Sequence, residues 1–576
     1  MIFMKSYGKQ PQVPDSVKEN LLQYSPLVQS LLYSRGIETG EDAEVFFKPD
    51  YLRDIHDPFL LKDMDKTVDR LITAIEQKEK IVIYSDYDAD GIPGGTMLRD
   101  FFDKIGFENI ENYIPHRHDE GFGLHAEAVE TLASAGAQVI ITIDCGIVDV
   151  VAASVAKKRG VDLIITDHHE PGAELPDAFA IVNPKQIDCE YPHKGLCGSG
   201  VAYKLVQAIL SKNRFGLKEG HEKWLLDLVG IATLSDMVPL QGENRALAHF
   251  GLRVLRQSPR LGLQEMWKKL KLNQKYVTED DIGFSLSPRI NAASRMGQPM
   301  DAFKLLSAKT HEEAIVATEL LESLNAERKG LVASTVKELK KALRERLELG
   351  PLSSVLVLGN PNWKPALLGL VANNILEEVK RPVFLWGRNG DDTIKGSCRS
   401  DGSASLIALM DGARESFIQY GGHKMAGGFA TTTDAIHSLE EALSGAYEKV
   451  KESESGSSTN LYDAELSFAD VTWKTFDAVQ KFAPFGVGNS KPVFLFANSE
   501  IFSTKQFGGD KNHLEVIFNG ELDRKVKAIK FFSGPDSFGV ALSAGKSVNL
   551  LATLEKSTFG RGGPELRLRI VDIIES

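Results

Sequence analysis

Cysteine is scarce in this chain: Cys145, Cys189, Cys197 and Cys398 are the only four in 576 residues, and no two share a Cys-x-x-Cys spacing. That argues against a zinc ribbon or a disulfide framework and fits a reducing compartment. No stretch approaches the roughly 18 apolar residues of a membrane span. The start, Met1-Ile2-Phe3-Met4-Lys5-Ser6, has neither the apolar run nor the small-residue cleavage site of a signal peptide. A cytoplasmic protein without membrane contact is expected. Positive charge is also short, since 67 Lys and Arg against 79 Asp and Glu give 67 − 79 = −12. This lowers the case for nonspecific coating of a duplex. It leaves open a protein that handles a polyanion through one basic channel, because acids gathered at a metal site are neutralised by the bound cation.

What is present is length and ordinary globular composition, 43% hydrophobic and 25% charged. A chain of this size is expected to divide into three to five domains. Residues 1–50 read as a polar helical segment. From residue 51 to 265, β-branched runs alternate with helical patterns, which implies a right-handed parallel sheet. Residues 266–349 form a helical connector, and its last stretch, 311–349, is long enough to run roughly 55 Å as one helix. A smaller α/β unit is expected over 350–450, with two glycine-rich polar loops, Lys395 to Ser400 and Gly421 to Gly428, suited to gripping phosphate through backbone N–H groups. Residues 451–460 (KESESGSSTN) read as a linker. Short strands between glycines over 461–576 suggest a small all-β barrel.

Four patches carry the chemistry: Asp86-Tyr87-Asp88-Ala89-Asp90-Gly91, Ile143-Asp144-Cys145-Gly146, Thr166-Asp167-His168-His169 and Leu234-Ser235-Asp236-Met237. The first three follow β-branched runs, and open α/β sheets bind ligands beyond the carboxyl ends of their strands. A lone aspartate there is usually a helix cap. Three at alternate positions, if the segment stays extended, project from one face and repel unless cations intervene. Adjacent histidines cannot share a role, so one can ligate metal while the other meets substrate. Oxygen ligands with one or two imidazoles suit Mg²⁺ or Mn²⁺. Such a centre serves phosphoryl transfer to water, and no cysteine or serine relay is evident.

With these patches, the stretches Tyr113-Ile114-Pro115-His116-Arg117, Leu196-Cys197-Gly198-Ser199-Gly200, Pro288-Arg289-Ile290-Asn291-Ala292 and Ala483-Pro484-Phe485-Gly486-Val487-Gly488-Asn489 make the chain resemble the DHH phosphoesterase superfamily. The nearest likeness is to the RecJ-like exonucleases. The resemblance runs from about residue 50 almost to the end. It implies a DHH catalytic domain, a DHH-associated domain and a C-terminal OB-fold. It also implies 5′→3′ degradation of single-stranded DNA to mononucleotides with two Mn²⁺ or Mg²⁺ ions, in DNA repair and recombination. By resemblance, Asp88, Asp90, Asp144, His168 and Asp236 are metal ligands, with Asp144 bridging. Asp86 is an outer ligand or acceptor, and His169 contacts the scissile phosphate. Arg117, Ser397 and Arg399 match positions that hold a 5′-phosphate, and Arg289 and His423 match positions along the substrate path. Tyr84 stands four residues before Asp88, where many members have a metal-binding histidine, so occupancy of one of the two metal sites is left open. A monomer is implied, with a RecQ-type helicase and single-strand-binding protein as partners. Two rival readings remain: a DHH phosphodiesterase acting on oligoribonucleotides or cyclic dinucleotides, and an inactive DNA-binding scaffold.

Overall fold

Ile81–Ser85 and Val139–Ile143 are strands buried at every position, and Asp162–Thr166 is buried at all but its first. Uninterrupted apolar runs of this kind belong to parallel strands covered on both faces. With Ile110–Tyr113 and Ala180–Val182 they form a five-stranded, wholly parallel sheet. The first strand in sequence lies between the second and the third. That 2-1-3-4-5 order puts the topological switch point between Ile81–Ser85 and Val139–Ile143, where a doubly wound sheet opens a ligand crevice.

The computed structural model describes residues 7–388, 393–451, 460–509, 511–520, 524–557 and 563–576. The linker read at 451–460 lies outside the described residues except at its two ends. The chain gathers into two units, one of His56–Val238 with Phe250–Ser455, the other of Met1–Ile55, Pro239–His249 and Gly456–Ser576. No helix among the described residues is long and apolar enough to cross a membrane.

In the first unit the parallel sheet is followed by His311–Leu349, a single helix of 39 residues, about 58 Å long at 1.5 Å per residue. Its start is fixed by a capping box between Thr310 and Glu313. A second, mixed sheet then forms in the order Gln419–Gly422, Ala426–Thr431, Ile394–Arg399, Val383–Arg388, Leu356–Gly359. Here the two expected glycine-rich loops are corrected. Lys395 to Arg399 is strand, and Gly421 to Gly428 is a hairpin whose second arm pairs with it, Ser397 opposite Gly428 and Arg399 opposite Ala426. Backbone N–H groups in such a ladder are committed to neighbouring strands rather than free for phosphate. Glycine serves packing at Gly396, where an added Cβ would lie 2.2 Å from the Phe429 ring.

In the second unit, Phe494–Phe507, His513–Asn519, Lys525–Lys530, Glu565–Glu575 and Ser547–Ser557 follow one another around a sheet that closes by pairing the last with the first. The pair Lys525–Lys530 with Glu565–Glu575 is parallel. This 1-2-3-5-4-1 closure is the OB barrel. The N-terminal helices share its core: Leu21, Leu31 and Leu32 belong to one buried cluster with Phe482, Phe494 and Phe518. Strand Tyr7–Lys9 pairs with Asn460–Tyr462, and Arg35 donates to Asn489 Oδ1 at 2.7 Å.

Candidate metal centre

Each acidic residue that ends a strand stays in the ladder for one more step. Asp86 N–H bonds Ile143 O at 3.1 Å, Asp144 N–H bonds Thr166 O at 3.0 Å, and Asp167 N–H bonds Val182 O at 3.2 Å. Three carboxylates are thereby set side by side across the sheet's carboxyl edge. Asp144 then takes a left-handed backbone, φ 64°, a costly conformation for a residue with a side chain and one concentrated at functional sites.

The segment after Asp86 does not stay extended. It bends over residues 87–90, and Asp88 Oδ1 accepts the N–H groups of Asp90 at 2.7 Å and Gly91 at 3.2 Å. The three aspartates are therefore distributed rather than aligned on one face. Asp90 turns to the start of helix Gly198–Lys212, where its oxygens accept Gly198 N–H at 2.6 Å and Ser199 N–H at 2.7 Å. Gly198 is needed at this junction, because a Cβ there would sit 2.5 Å from Asp144 Cβ. Asp236 arrives at the C-terminal end of helix Leu226–Ser235.

Three groups of side chains bring potential ligand atoms within 4.8 Å of one another: Asp86, Asp88 and Asp144; Asp90, His168 and Asp236; and Asp144, His168 and His169. All five positions matched to metal ligands, together with Asp86 and His169, thus converge, and Asp144 is common to two groups. Among the described residues, Asp86 Oδ1, Asp144 Oδ1 and His168 Nε2 are buried without a hydrogen-bond partner. Nε2 of His168 is 3.1 Å from Oδ1 of Asp144, close enough to pair but not aligned as a hydrogen bond. Orphaned carboxylate oxygens facing an unpaired imidazole nitrogen fit a hard divalent cation.

The electrostatics agree. Burial pushes Asp144 well above the usual carboxylate range, and Asp90, Asp88, Asp86 and Asp236 add to it. Burial and Asp88 raise Asp86, against the pull of Arg117 and His169. Burial raises Asp90 despite the His168 ring and the two amides. Asp236 is pushed up to about 8 by burial, then by Asp90 and Asp88. Burial lowers His168, which favours the neutral, ligating imidazole. A cation is the counter-charge that such a cluster of crowded acids calls for.

His169 is set apart by its neighbour. Asp167 Oδ1 takes the N–H groups of His168 at 2.7 Å and His169 at 3.1 Å, and the His169 Nδ1 at 2.8 Å, while Oδ2 takes Ile147 N–H at 3.0 Å. Burial opposes a charge on His169, but the bond to Asp167 and its charge win and raise the ring to about 9. The sequence places Asp167 in its patch without a role. Only the fold shows that it is the residue orienting the second histidine.

The remaining expected residues divide between the lobes of this unit. Arg117 lies over the Tyr87 ring at 4.7 Å, beside the Asp86 carboxylate that it helps hold down. Arg289 is engaged, with Nε 2.6 Å from Glu322 and Nη1 2.7 Å from Ser285 O. Ser397 and Arg399 lie on strand Ile394–Arg399 of the second lobe. Arg399 is packed against Gly369, where a Cβ would meet its guanidinium at 2.7 Å. His423 is exposed at the hairpin, its N–H on Ala426 O at 2.7 Å. The metal-capable groups among the described residues draw no ligand from this second lobe. Arg295 was missed in the sequence. Its Nη1 donates to Ala366 O of the second lobe at 2.5 Å, and burial, then Arg117 and Arg328, push it down to about 9. Tyr84, standing where a ligand histidine was in question, is fully buried, stacked on Tyr113 at 5.2 Å, and its hydroxyl donates to Gly123 O at 2.9 Å.

Comparison with known proteins follows the same plan. The DHH family N-terminal domain matches residues 80–233, the DHHA1 domain 352–452 and the RecJ OB domain 462–572. The single-stranded-DNA-specific exonuclease RecJ of Bacillus subtilis (strain 168) is 34% identical over 556 residues, covering 96% of this chain and 69% of its own. That of Haemophilus influenzae is 28% identical over 99% of both chains. The crystal structure of RecJ in complex with Mn²⁺ from Thermus thermophilus superposes with a TM-score of 0.80 at 26% identity, over 99% of this chain and 79% of that one. With the three regions in this order and that likeness over almost its whole length, the chain belongs to the RecJ family.

Proposed function

We propose that this chain is a divalent-metal-dependent exonuclease that hydrolyses single-stranded DNA from its 5′ end to mononucleotides. One observation carries the reading: three overlapping ligand groups, chained through Asp144 and His168, at the carboxyl edge of the parallel sheet, in a chain whose relatives are named single-stranded-DNA-specific exonucleases. Asp86, Asp88 and Asp144 would hold one cation, and Asp90, His168 and Asp236 with Asp144 the other. Two Mn²⁺ or Mg²⁺ ions bound there would supply an activated water and a counter-charge for the leaving oxygen of an in-line displacement.

The protein's own groups position the strand. Asp167 fixes the His169 ring through Nδ1, so that Nε2 is free to donate to a phosphate oxygen. The bond to Asp167 favours the protonated ring, and a charged donor there would strengthen the bond as negative charge builds in the transition state. Arg117, with Arg295 behind it, offers forked donors for a terminal 5′-phosphate, and Ser397 and Arg399 offer further donors from the second lobe. Arg289 and His423 line the path of the strand. The closed barrel adds an oligonucleotide-binding fold of its own. The family resemblance extends the proposal to a monomer in cytoplasmic DNA repair and recombination, beside a RecQ-type helicase and single-strand-binding protein.

The test uses end-labelled single-stranded DNA of each polarity, short RNA and a cyclic dinucleotide, each with Mn²⁺, and Asp144→Ala as control. Mononucleotides released from the 5′ end of DNA by the unaltered chain alone are expected. Turnover confined to dinucleotides would overturn the reading in favour of a phosphodiesterase, and no turnover at all would favour a scaffold.

A further inference from the structure

Helix Ser287–Met296 supplies no candidate ligand, yet it touches the metal centre from outside at two points. Asn291 Oδ1 accepts the N–H of Ala89 at 2.9 Å. Ala89 is 2% exposed and sits between Asp88 and Asp90. Without Asn291 its buried N–H would be an orphaned donor, which costs far more than a solvated one. Four residues earlier on the helix, Ser287 Oγ lies 2.5 Å from Oγ of Ser235, the residue before Asp236, and also bonds Ile282 O at 2.9 Å. One rigid element therefore grips the turn that carries two carboxylates and the helix end that delivers a third. The same helix reaches the second lobe through Arg295 and Ala366 O.

We propose that Asn291 is a positioning residue for the divalent cation, and that helix Ser287–Met296 braces the Asp88–Asp90 turn and Asp236 at the spacing the ion requires. Partners that fix the backbone around first ligands commonly alter metal affinity by about 10- to 100-fold when removed. The inference rests on the proposed function only where nuclease rates are read.

Asn291→Ala and Asn291→Asp, which keeps an acceptor oxygen at the same reach, test it. Mn²⁺ affinity is read by paramagnetic resonance of the free ion, and amide exchange of the 86–92 segment is followed in the metal-free chain. Asn291→Ala is expected to weaken Mn²⁺ by about tenfold or more and to speed exchange in that segment alone. It should lower kcat on single-stranded DNA and leave KM unchanged. Asn291→Asp should restore both affinity and protection. Unaltered Mn²⁺ affinity and exchange in Asn291→Ala would overturn the proposal. So would a loss of affinity in both variants accompanied by faster exchange throughout the unit, since that is a general loss of packing. Weakened Mn²⁺ in Asn291→Ala, together with an unaltered chain that cuts no DNA, would uphold the brace and overturn the nuclease.

Discussion

Gly198→Ala adds one methyl group and sets two effects against each other. Gly198 opens helix Gly198–Lys212, and by helix propensity alone alanine should stabilise it by about 0.5–1 kcal/mol. The added Cβ, however, would lie 2.5 Å from Cβ and 2.8 Å from both Cγ and Oδ1 of Asp144. Carbon atoms pack at roughly 3.5–4.0 Å, so the helix or the carboxylate must yield by about 1 Å. Neither moves freely: Asp90 holds the helix start through two amides, and Asp144 is laddered to Thr166 in a left-handed conformation. Overpacking of this kind costs about 1–3 kcal/mol, so the clash wins and the variant should be less stable. A displacement of about 1 Å in a reacting group also costs on the order of 100-fold in rate, so kcat should fall further than stability does. Thermal unfolding, Mn²⁺ titration and exonuclease rates measure the three effects. Gly200→Ala is the control, because its Cβ would meet Leu196 at an ordinary 3.5 Å, and it should be neutral or slightly stabilising. A Gly198→Ala protein with unchanged melting, Mn²⁺ affinity and rate would refute the reasoning.

Other consequences can be checked in the same assays. Asp167→Asn leaves the ligands in place but weakens the hold on His169, so kcat should drop by about 10- to 100-fold with little change in Mn²⁺ affinity; equal losses in both would show that Asp167 serves the metal directly. Tyr84→Phe removes the bond to Gly123 O and should cost about 1 kcal/mol while Mn²⁺ stoichiometry and kcat hold, whereas a lost ion would mean that the hydroxyl serves the centre. A carboxyl whose folded pKa lies above its unfolded one supports the fold only while protonated. Asp236, raised from 3.8 to about 8, therefore makes the metal-free protein lose stability as pH rises across that window. Relative to melting in Mn²⁺, melting in EDTA should fall as pH rises from about 5 to about 8, and parallel curves would sink the argument.

Much of the architecture was legible from periodicity. The β-branched runs before Asp86, Asp144 and Asp167 read as buried parallel strands, and 311–349 carried leucines on or near one stripe, although the folded helix leaves Leu320 exposed and buries no residue between Asn325 and Leu339. The carboxylates were legible because so many acids at strand ends need a counter-charge. What escaped was whatever depends on contacts across distant sequence. Asn291 and Asp167 act through hydrogen bonds that no spacing encodes. Arg295 is one arginine among many until the fold sets it beside Arg117 and Ala366. The glycines at 396 and 421–428 looked like loop formers because local composition cannot distinguish a turn from a strand pressed against an aromatic ring. Bending of residues 87–90 was hidden for a related reason, since the bonds from Asp88 to the amides of Asp90 and Gly91 compete with an extended chain.

The shared core of the N-terminal helices and the closing barrel has a consequence during synthesis. Tyr7 bonds Asp572, 565 positions later in the chain, and Leu21, Leu31 and Leu32 sit in a buried cluster most of whose members are residues of 468–573. At about 5–20 residues per second on the ribosome, the opening helices wait roughly half a minute to two minutes with an apolar face unsatisfied. The larger unit has time to fold first, so these helices, made before it, reach their native places after it. A nascent chain stalled before residue 460 should therefore present those helices to whatever protects unfinished proteins.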